Sequence, residues 1–108
     1  MRVRLARPAF EELAAILDYL AERSPQAAEG LASRLDRLLV QLAEQPRMGV
    51  RTDDPAGRRL VLRPYPYLAF YEASEVEVVI LAIRHAARDP RTMPGAGGAG
   101  GSGQEGSP

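Results

Sequence analysis

The residues best suited to anion binding or proton transfer are basic residues in the second half of the chain, which we call the basic set. Arg59 and Arg63 flank a short apolar segment, and Arg84, His85 and Arg88 follow the last long apolar run. Guanidinium groups bind phosphates and carboxylates in a fixed geometry, and the histidine imidazole titrates near neutral pH. This basic set could therefore form a positive surface for an anionic partner, with one residue able to transfer a proton.

Each member of the basic set also has a simpler structural interpretation. His85 could be a hydrogen-bonded histidine at the end of a strand. Period-two spacing would place Arg59 and Arg63 on one face of a strand, where they could be solvated or paired with a glutamate. Arg88 could pair with the neighbouring Asp89. These alternatives stay open at the level of sequence.

Three tyrosines lie close to the arginines in the chain, at Tyr65, Tyr67 and Tyr71. Tyrosine and arginine are enriched at the energetic centres of protein interfaces, so the three are candidate contacts for a partner. The alternative for Tyr67 and Tyr71 is packing in a hairpin or in the core.

The elements that must position these residues are strands. The runs 60–62, 67–71 and 76–83 are rich in aliphatic, aromatic and β-branched residues, as strands are. The Pro-Tyr-Pro segment 64–66 predicts a turn or a sheet edge, and the polar segment 72–75 predicts a hairpin. Because the last run is continuously apolar from residue 78 to 83, we expect a central strand covered on both faces.

Two helices precede these strands. Residues 2–6 alternate Arg with Val or Leu, which predicts a first strand with one face exposed to solvent. Pro8 then opens a helix, with Glu11 and Glu12 in its first turn, where they would complement the helix dipole. Its apolar stripe consists of Phe10, Leu13, Ile16, Leu17, Leu20 and Ala21.

The second helix starts almost at once, because Ser24 and Pro25 form a capping residue followed by proline at the first helical position. Its apolar seam consists of Ala28, Leu31, Leu35, Leu38 and Leu42. Pro46 ends the helix, and residues 47–57 have the composition of a loop.

These elements predict a two-layer α+β fold of order β-α-α-β-β-β. An N-terminal strand and a helical hairpin pack on a small, mainly antiparallel sheet. From residue 94 to 108 the chain consists almost only of Gly, Ala, Ser and Pro, and such a segment cannot bury enough apolar area to become ordered. We therefore expect one domain at residues 1–93 and a disordered tail at 94–108.

Composition narrows the classes of function. The 108 residues carry 14 basic and 14 acidic side chains, and every basic one is arginine. With no cysteine and one histidine, disulfides, thiolate chemistry and a zinc site are not expected, and nothing indicates a cofactor. No signal peptide or membrane-spanning run is present, which favours a cytoplasmic protein.

The chain resembles the RelE/ParE superfamily of toxins from bacterial type II toxin–antitoxin systems. The resemblance covers nearly everything before the tail. It rests on a set of motifs in order, namely PAFEEL at 8–13, SPQAA at 24–28, Leu42 with Pro46 and Gly49, Arg59-Leu60, 67–71, and IRHAARD at 83–89. It implies a cognate antitoxin as partner and a toxin–antitoxin hetero-oligomer.

The superfamily has two mechanisms. Members similar to RelE cleave messenger RNA at the ribosome, using several Lys or Arg residues with a late Tyr or His, whereas members similar to ParE inhibit DNA gyrase. This chain has no lysine and no aromatic residue after Tyr71, and its long helical hairpin and its Pro46 to Gly49 step resemble the ParE branch. The resemblance therefore implies growth inhibition through gyrase.

Two alternatives remain. A nuclease of the RelE type would use Arg59, Arg63, Arg84, His85 and Arg88 as its catalytic set, since cleavage through the 2′-hydroxyl needs an acid, a base and cations. A non-toxic interaction module would instead bind an acidic or amphipathic peptide with the same arginines and the three tyrosines.

Overall fold

A computed structural model describes residues 1–53 and 57–88 of the chain. In order, its elements are β1 (Arg2–Leu5), α1 (Arg7–Arg23), α2 (Pro25–Glu44), β2 (Val50–Arg51), β3 (Gly57–Val61), β4 (Tyr67–Ala73), β5 (Glu77–His85) and a 3-10 turn (Ala86–Arg88). The predicted tail at 94–108, and Asp89, lie outside the described residues. Neither described helix has the length and apolar character needed to cross a membrane.

The strands form one mixed sheet in the order β1-β5-β4-β3-β2. β1 runs parallel to β5, and the other neighbours are antiparallel. The predicted two-layer α+β fold is therefore confirmed, with a short additional strand, β2, inside the segment that was predicted to be a loop. β5 lies between β1 and β4, so the last strand is an interior strand of the sheet, as expected, and β4 is the middle one.

The helical hairpin follows the sequence closely. Ser24 caps α2, because its side-chain oxygen accepts a hydrogen bond from the Ala27 amide at 3.2 Å, and Pro25 is the first helical residue. The four leucines of the α2 seam, Leu31, Leu35, Leu38 and Leu42, are fully or almost fully buried. They belong to the main core cluster, together with residues of the sheet and of α1.

The start of α1 differs from the prediction. The helix begins at Arg7, so Glu11 and Glu12 fall beyond its first turn. Ala9 is fully buried whereas Phe10 is 63% exposed. Successive helical residues are rotated by roughly 100°, and it is the smaller Ala9 that faces the core. The placement of Phe10 in the apolar stripe was therefore wrong.

Alternation along β4 divides the apolar residues between the two faces of the sheet. Tyr67, Ala69 and Tyr71 join the core beneath the helices. Leu68 and Phe70 lie on the other face, which we call the open face, and form a small second cluster with Ala82 of β5. Both faces therefore bury apolar side chains, and among residues 1–53 and 57–88 the helices cover only one of the two faces.

Gly49 holds the loop after α2 against the sheet. Its amide donates a 2.8 Å hydrogen bond to the buried hydroxyl of Tyr71, and its carbonyl accepts from Arg58 Nη1 at 2.9 Å. Arg58 Nη1 also donates to the carbonyl of Arg47 at 3.1 Å. These contacts bring Val50–Arg51 beside β3, where they pair with Arg58 and Arg59.

A methyl group at position 49 should destabilise this junction. A Cβ there would lie 2.7 Å from the Tyr71 hydroxyl and 2.8 Å from the Arg59 carbonyl, and the strand backbone cannot move away. We expect Gly49→Ala to lower the free energy of unfolding by about 1–3 kcal/mol, as overpacking does. Urea titration should show this loss, with Ser33→Ala on the exposed side of α2 as a control within about 0.5 kcal/mol of the parent. Equal stability of the two variants would contradict the account.

The Tyr71 hydroxyl should contribute stability that depends on pH. Tyr71→Phe leaves the buried Gly49 amide without its acceptor, which typically costs about 1–3 kcal/mol. Burial raises the pKa of Tyr71 above the usual 10.0, against the opposing effects of the Gly49 hydrogen bond and the Arg58 charge. A raised pKa means that the neutral phenol is favoured in the folded state, so its contribution is complete below about pH 10 and declines above it. The difference in unfolding free energy between parent and Tyr71→Phe should therefore narrow from pH 8 to 11, and a constant difference would contradict this.

Candidate functional site

A groove of about 400 Å³ lies between α1 and the end of β5. We call it the α1–β5 groove. It combines aliphatic, aromatic and charged side chains, and it is lined by Glu12, Ala15, Ile16, Tyr19, Tyr67, Ile83, Arg84 and His85. Three of the residues predicted from the sequence as candidates, Tyr67, Arg84 and His85, therefore meet at one surface.

The groove exists because β1 is shorter than β5. β1 pairs with β5 from Glu77 to Ile80, and the amide of Ala6 makes the last backbone bond, to the Ile80 carbonyl at 2.8 Å. The chain then turns into α1. Within the described part of the chain, residues 81–85 of β5 have a neighbouring strand only on the β4 side, and α1 runs beside their other edge.

Glu12 of α1 occupies this edge. Its Oε1 atom accepts a 2.9 Å hydrogen bond from the Ile83 amide, and its Oε2 atom accepts one from Arg84 Nε at 3.3 Å. Both side chains are partly exposed, at 33% for Glu12 and 45% for Arg84. Sequence reasoning missed this role, because the two partners are 71 and 72 residues away in the chain.

His85 has a structural partner for one of its nitrogens. Its Nδ1 atom accepts a 3.1 Å hydrogen bond from the Ala87 amide, so the neutral ring carries its proton on Nε2. The ring also packs edge-on against Tyr67, with the centroids 5.3 Å apart. These contacts match the interpretation of His85 as a hydrogen-bonded residue at the end of a strand.

Arg59 and Arg63 do not share a strand face. Arg59 lies on the open face of β3, opposite Phe70 of β4 and Val50 of β2. β3 ends at Val61, so Arg63 lies in the turn that follows, with its side chain exposed. The predicted period-two pair was therefore wrong, because the strand ends before its second member.

The other arginines of the set lie elsewhere. Arg84 pairs across the sheet with Leu68 and so leaves β5 on the open face, separated from Arg59 by β4. The backbones of Arg59 and Arg84 are therefore two strand spacings apart, or roughly 10 Å. The backbone of Arg88 belongs to the 3-10 turn, and its side chain lies outside the described part of the structure.

The three tyrosines are mainly structural. Tyr71 is fully buried and Tyr67 is 6% exposed, both beneath the helices, although Tyr67 also reaches the floor of the α1–β5 groove. Tyr65 is partly buried against the core. Its hydroxyl lies over Gly30 of α2, at a position that a Cβ atom would overlap. The packing interpretation therefore fits Tyr67 and Tyr71 best.

The surface combines charged and apolar side chains. The described arginines of the open face flank an apolar strip formed by Leu68, Phe70 and Ala82, and the α1–β5 groove opens beside Arg84. No group of three His, Asp or Glu side chains that could hold a metal ion occurs in residues 1–53 and 57–88. What the surface offers is guanidinium groups next to apolar contacts, a combination common at protein interfaces.

A family model, a sequence relative and a solved structure that resemble this chain all come from toxins or toxin–antitoxin systems. The family model described as "ParE toxin of type II toxin-antitoxin system, parDE" matches residues 3–90. The Toxin RelE2 of Caulobacter vibrioides is 42% identical over 80 residues, which cover 74% of this chain and 89% of that protein. A solved structure described as "Chromosomal ParDE TA system from P. aeruginosa" superposes with a TM-score of 0.63 at 27% identity, covering 79% of this chain and 95% of the other.

The family match covers both described helices and, apart from the first residue of β1, the described strands. The solved structure shares the fold over most of its length. The predicted order of elements is found, with the short strand β2 as an addition. The chain belongs to the ParE toxin family of type II toxin–antitoxin systems.

Proposed function

We propose that this toxin inhibits growth by binding DNA gyrase in the cytoplasm, and that its cognate antitoxin neutralises it by covering the same surfaces. The observation that carries the proposal is the position of the residues that could act as acid or base. Tyr71 is fully buried, the Tyr67 ring packs in the core, and Nδ1 of His85 accepts a hydrogen bond from the Ala87 amide.

The composition supports the same conclusion. A nuclease that acts on the 2′-hydroxyl of RNA needs a general base, a general acid and cations in contact with the reacting phosphate. The chain has no lysine. Of the candidate arginines whose side chains are described, Arg59 and Arg84 lie on the open face on strands separated by β4, and Arg63 lies in the turn after β3. An inhibitor that acts by binding needs only complementary charge and shape, which Arg59, Arg84 and their apolar neighbours provide.

A ribosome-dependent ribonuclease is the second candidate. Two observations favour it: the relative with 42% identity is named Toxin RelE2, and Arg84 and His85 line one groove. In that mechanism Nε2 of His85 would transfer the proton, since Nδ1 is engaged. A stand-alone peptide-binding module would use the same surfaces without toxicity.

Two substitutions separate the mechanisms. If Arg59 contacts the target, Arg59→Ala should weaken the inhibition of gyrase supercoiling about fivefold or more, as truncation of an interface arginine costs roughly 1 kcal/mol or more. His85→Gln should leave inhibition within about twofold, because binding requires no proton transfer. Arg37→Ala, exposed on α2, is the matched arginine control. A supercoiling assay over a range of toxin concentrations measures all three.

A nuclease would give the opposite ranking. Removing a general acid or base typically lowers the rate by about 10²- to 10⁴-fold, so His85→Gln would abolish ribosome-dependent cleavage of messenger RNA. If His85→Gln abolishes cleavage of messenger RNA by this protein, and the parent protein does not affect supercoiling, the protein is a ribonuclease and not a gyrase inhibitor.

The antitoxin should be the product of the neighbouring gene, and it should co-purify with this protein after co-expression. Because charged groups on the open face would meet opposite charges, the association rate should fall by about tenfold or more between low and high salt. Stopped-flow mixing of the separated proteins measures that rate. Failure of two folded proteins to associate at low salt would contradict the role of the neighbouring product.

A further inference from the structure

The turn between β3 and β4 is held against α2 by two contacts. Nε of Arg34, on α2, donates a 2.9 Å hydrogen bond to the carbonyl of Arg63. One helical turn earlier, the Tyr65 hydroxyl lies over Gly30, at a position that a Cβ atom would overlap. Residues four apart share one face of a helix, so both contacts come from the same face of α2. We call this place the α2–turn junction, formed by residues 30 and 34 of α2 and by residues 62–66.

Two guanidinium groups meet at the α2–turn junction. The Arg34 group lies against the carbonyl of residue 63, and the exposed side chain of Arg63 leaves the same residue. Neither arginine belongs to the ion pairs formed within residues 1–53 and 57–88. Arg34 uses Nε to hold the turn, which leaves the donors on Nη1 and Nη2 for a partner. The junction therefore concentrates positive charge in a chain whose net charge is zero.

The backbone of the turn has few groups left for a peptide. The amides of Leu62 and Tyr65 are bonded to backbone carbonyls, at 2.8 and 2.9 Å. Pro64 and Pro66 have no amide hydrogen, and the Pro66 carbonyl accepts from the Ala86 amide at 2.9 Å. A peptide strand binds through backbone donors and acceptors in register, and it would find few partners here. The junction is better suited to a ligand that is recognised through its charge.

A phosphodiester has the acceptors that these two arginines require. Its free oxygens carry the negative charge, and guanidinium groups bind phosphate oxygens through strong, paired hydrogen bonds. The hydrogen bond from Arg34 to the turn fixes the position of the backbone from which Arg63 extends, so the two groups are already close together before a ligand binds. Such preorganisation lowers the entropic cost of binding.

We propose that the α2–turn junction binds a backbone phosphate of duplex DNA through Arg34 and Arg63, and that the toxin thereby contacts the DNA that gyrase holds. The link to gyrase rests on the proposed function, whereas the phosphate site rests on the two guanidinium groups and on the contacts that hold the turn. α2 packs on the sheet face opposite Arg59 and Arg84. The open face therefore stays available for protein while the junction binds DNA.

Fluorescence anisotropy with a labelled DNA duplex tests the site in the full chain without gyrase. We expect a Kd of about 10⁻⁶–10⁻⁴ M at low salt, as for non-specific DNA binding. Arg63→Ala and Arg34→Ala should each weaken binding about fivefold or more, because a charge-assisted hydrogen bond is lost. Each should also reduce the slope of log K against log salt by about 1, equally for different DNA sequences.

Arg7→Ala is the matched control. It removes the same charge from a side chain that is 87% exposed at the start of α1, and it should leave the affinity for DNA within about twofold of the parent. Arg63→Ala keeps the carbonyl to which Arg34 donates, so the turn should keep its place even if Arg34→Ala does not fold. Arg63→Glu reverses the charge at the same exposed position and should abolish measurable binding.

The supercoiling assay tests the link to gyrase separately. Arg63→Ala should weaken the inhibition by about the same factor as it weakens DNA binding, whereas Arg7→Ala should not change it. DNA binding with the predicted dependence on the two arginines, without inhibition of gyrase by the parent protein, would support the phosphate site and overturn the proposed function.

Four results would overturn the proposal. The parent protein could fail to bind duplex DNA at low salt while still inhibiting gyrase, and the proposed function would then stand without the site. DNA binding could be insensitive to Arg34 and Arg63. RNA of the same length could bind more than tenfold tighter with the same dependence on the two arginines, which would assign the site to RNA and favour the ribonuclease. A polyglutamate peptide could bind as tightly as DNA, which would indicate an acidic protein as the partner.

Discussion

The difference in length between β1 and β5 is the constraint on which the candidate site depends. β1 has four residues and β5 has nine, so the parallel pair that joins the N-terminus to the sheet ends halfway along β5. The chain must then turn into α1, which passes beside the remaining edge. From this follow the α1–β5 groove, the position of Glu12 at the Ile83 amide, and the ion pair that holds Arg84 at the rim of the groove.

A second contact fixes the opposite side of the sheet. The Tyr71 hydroxyl and Arg58 bind the two backbone groups of Gly49, and this brings β2 beside β3. Tyr71 and Arg58 are thereby used for structure, and Arg59, on the other side of the same strand, remains on the open face. Adjacent arginines of β3 therefore have different roles: Arg58 holds the sheet together, and Arg59 presents its charge on the open face.

Much of the fold could be predicted from the sequence because its signals are local. The Ser24 cap, the leucines of α2 and the turn at 64–66 each depend on residues close together in the chain. The short strand β2 could not be predicted, since two residues carry no periodic signal and are held by Tyr71, more than twenty positions later. Glu12 was assigned to the helix dipole for the same reason: its partners Ile83 and Arg84 are distant in sequence. Phe10 fitted the helical spacing, but Ala9 faces the core.

The central claim is that this toxin acts by binding gyrase, and the most direct measurement compares the two candidate activities of the purified parent protein. Supercoiling by gyrase and cleavage of ribosome-bound messenger RNA should be followed in parallel at equal toxin concentrations. We expect supercoiling to be inhibited and the messenger RNA to remain intact. Cleaved messenger RNA together with unaffected supercoiling would contradict the account.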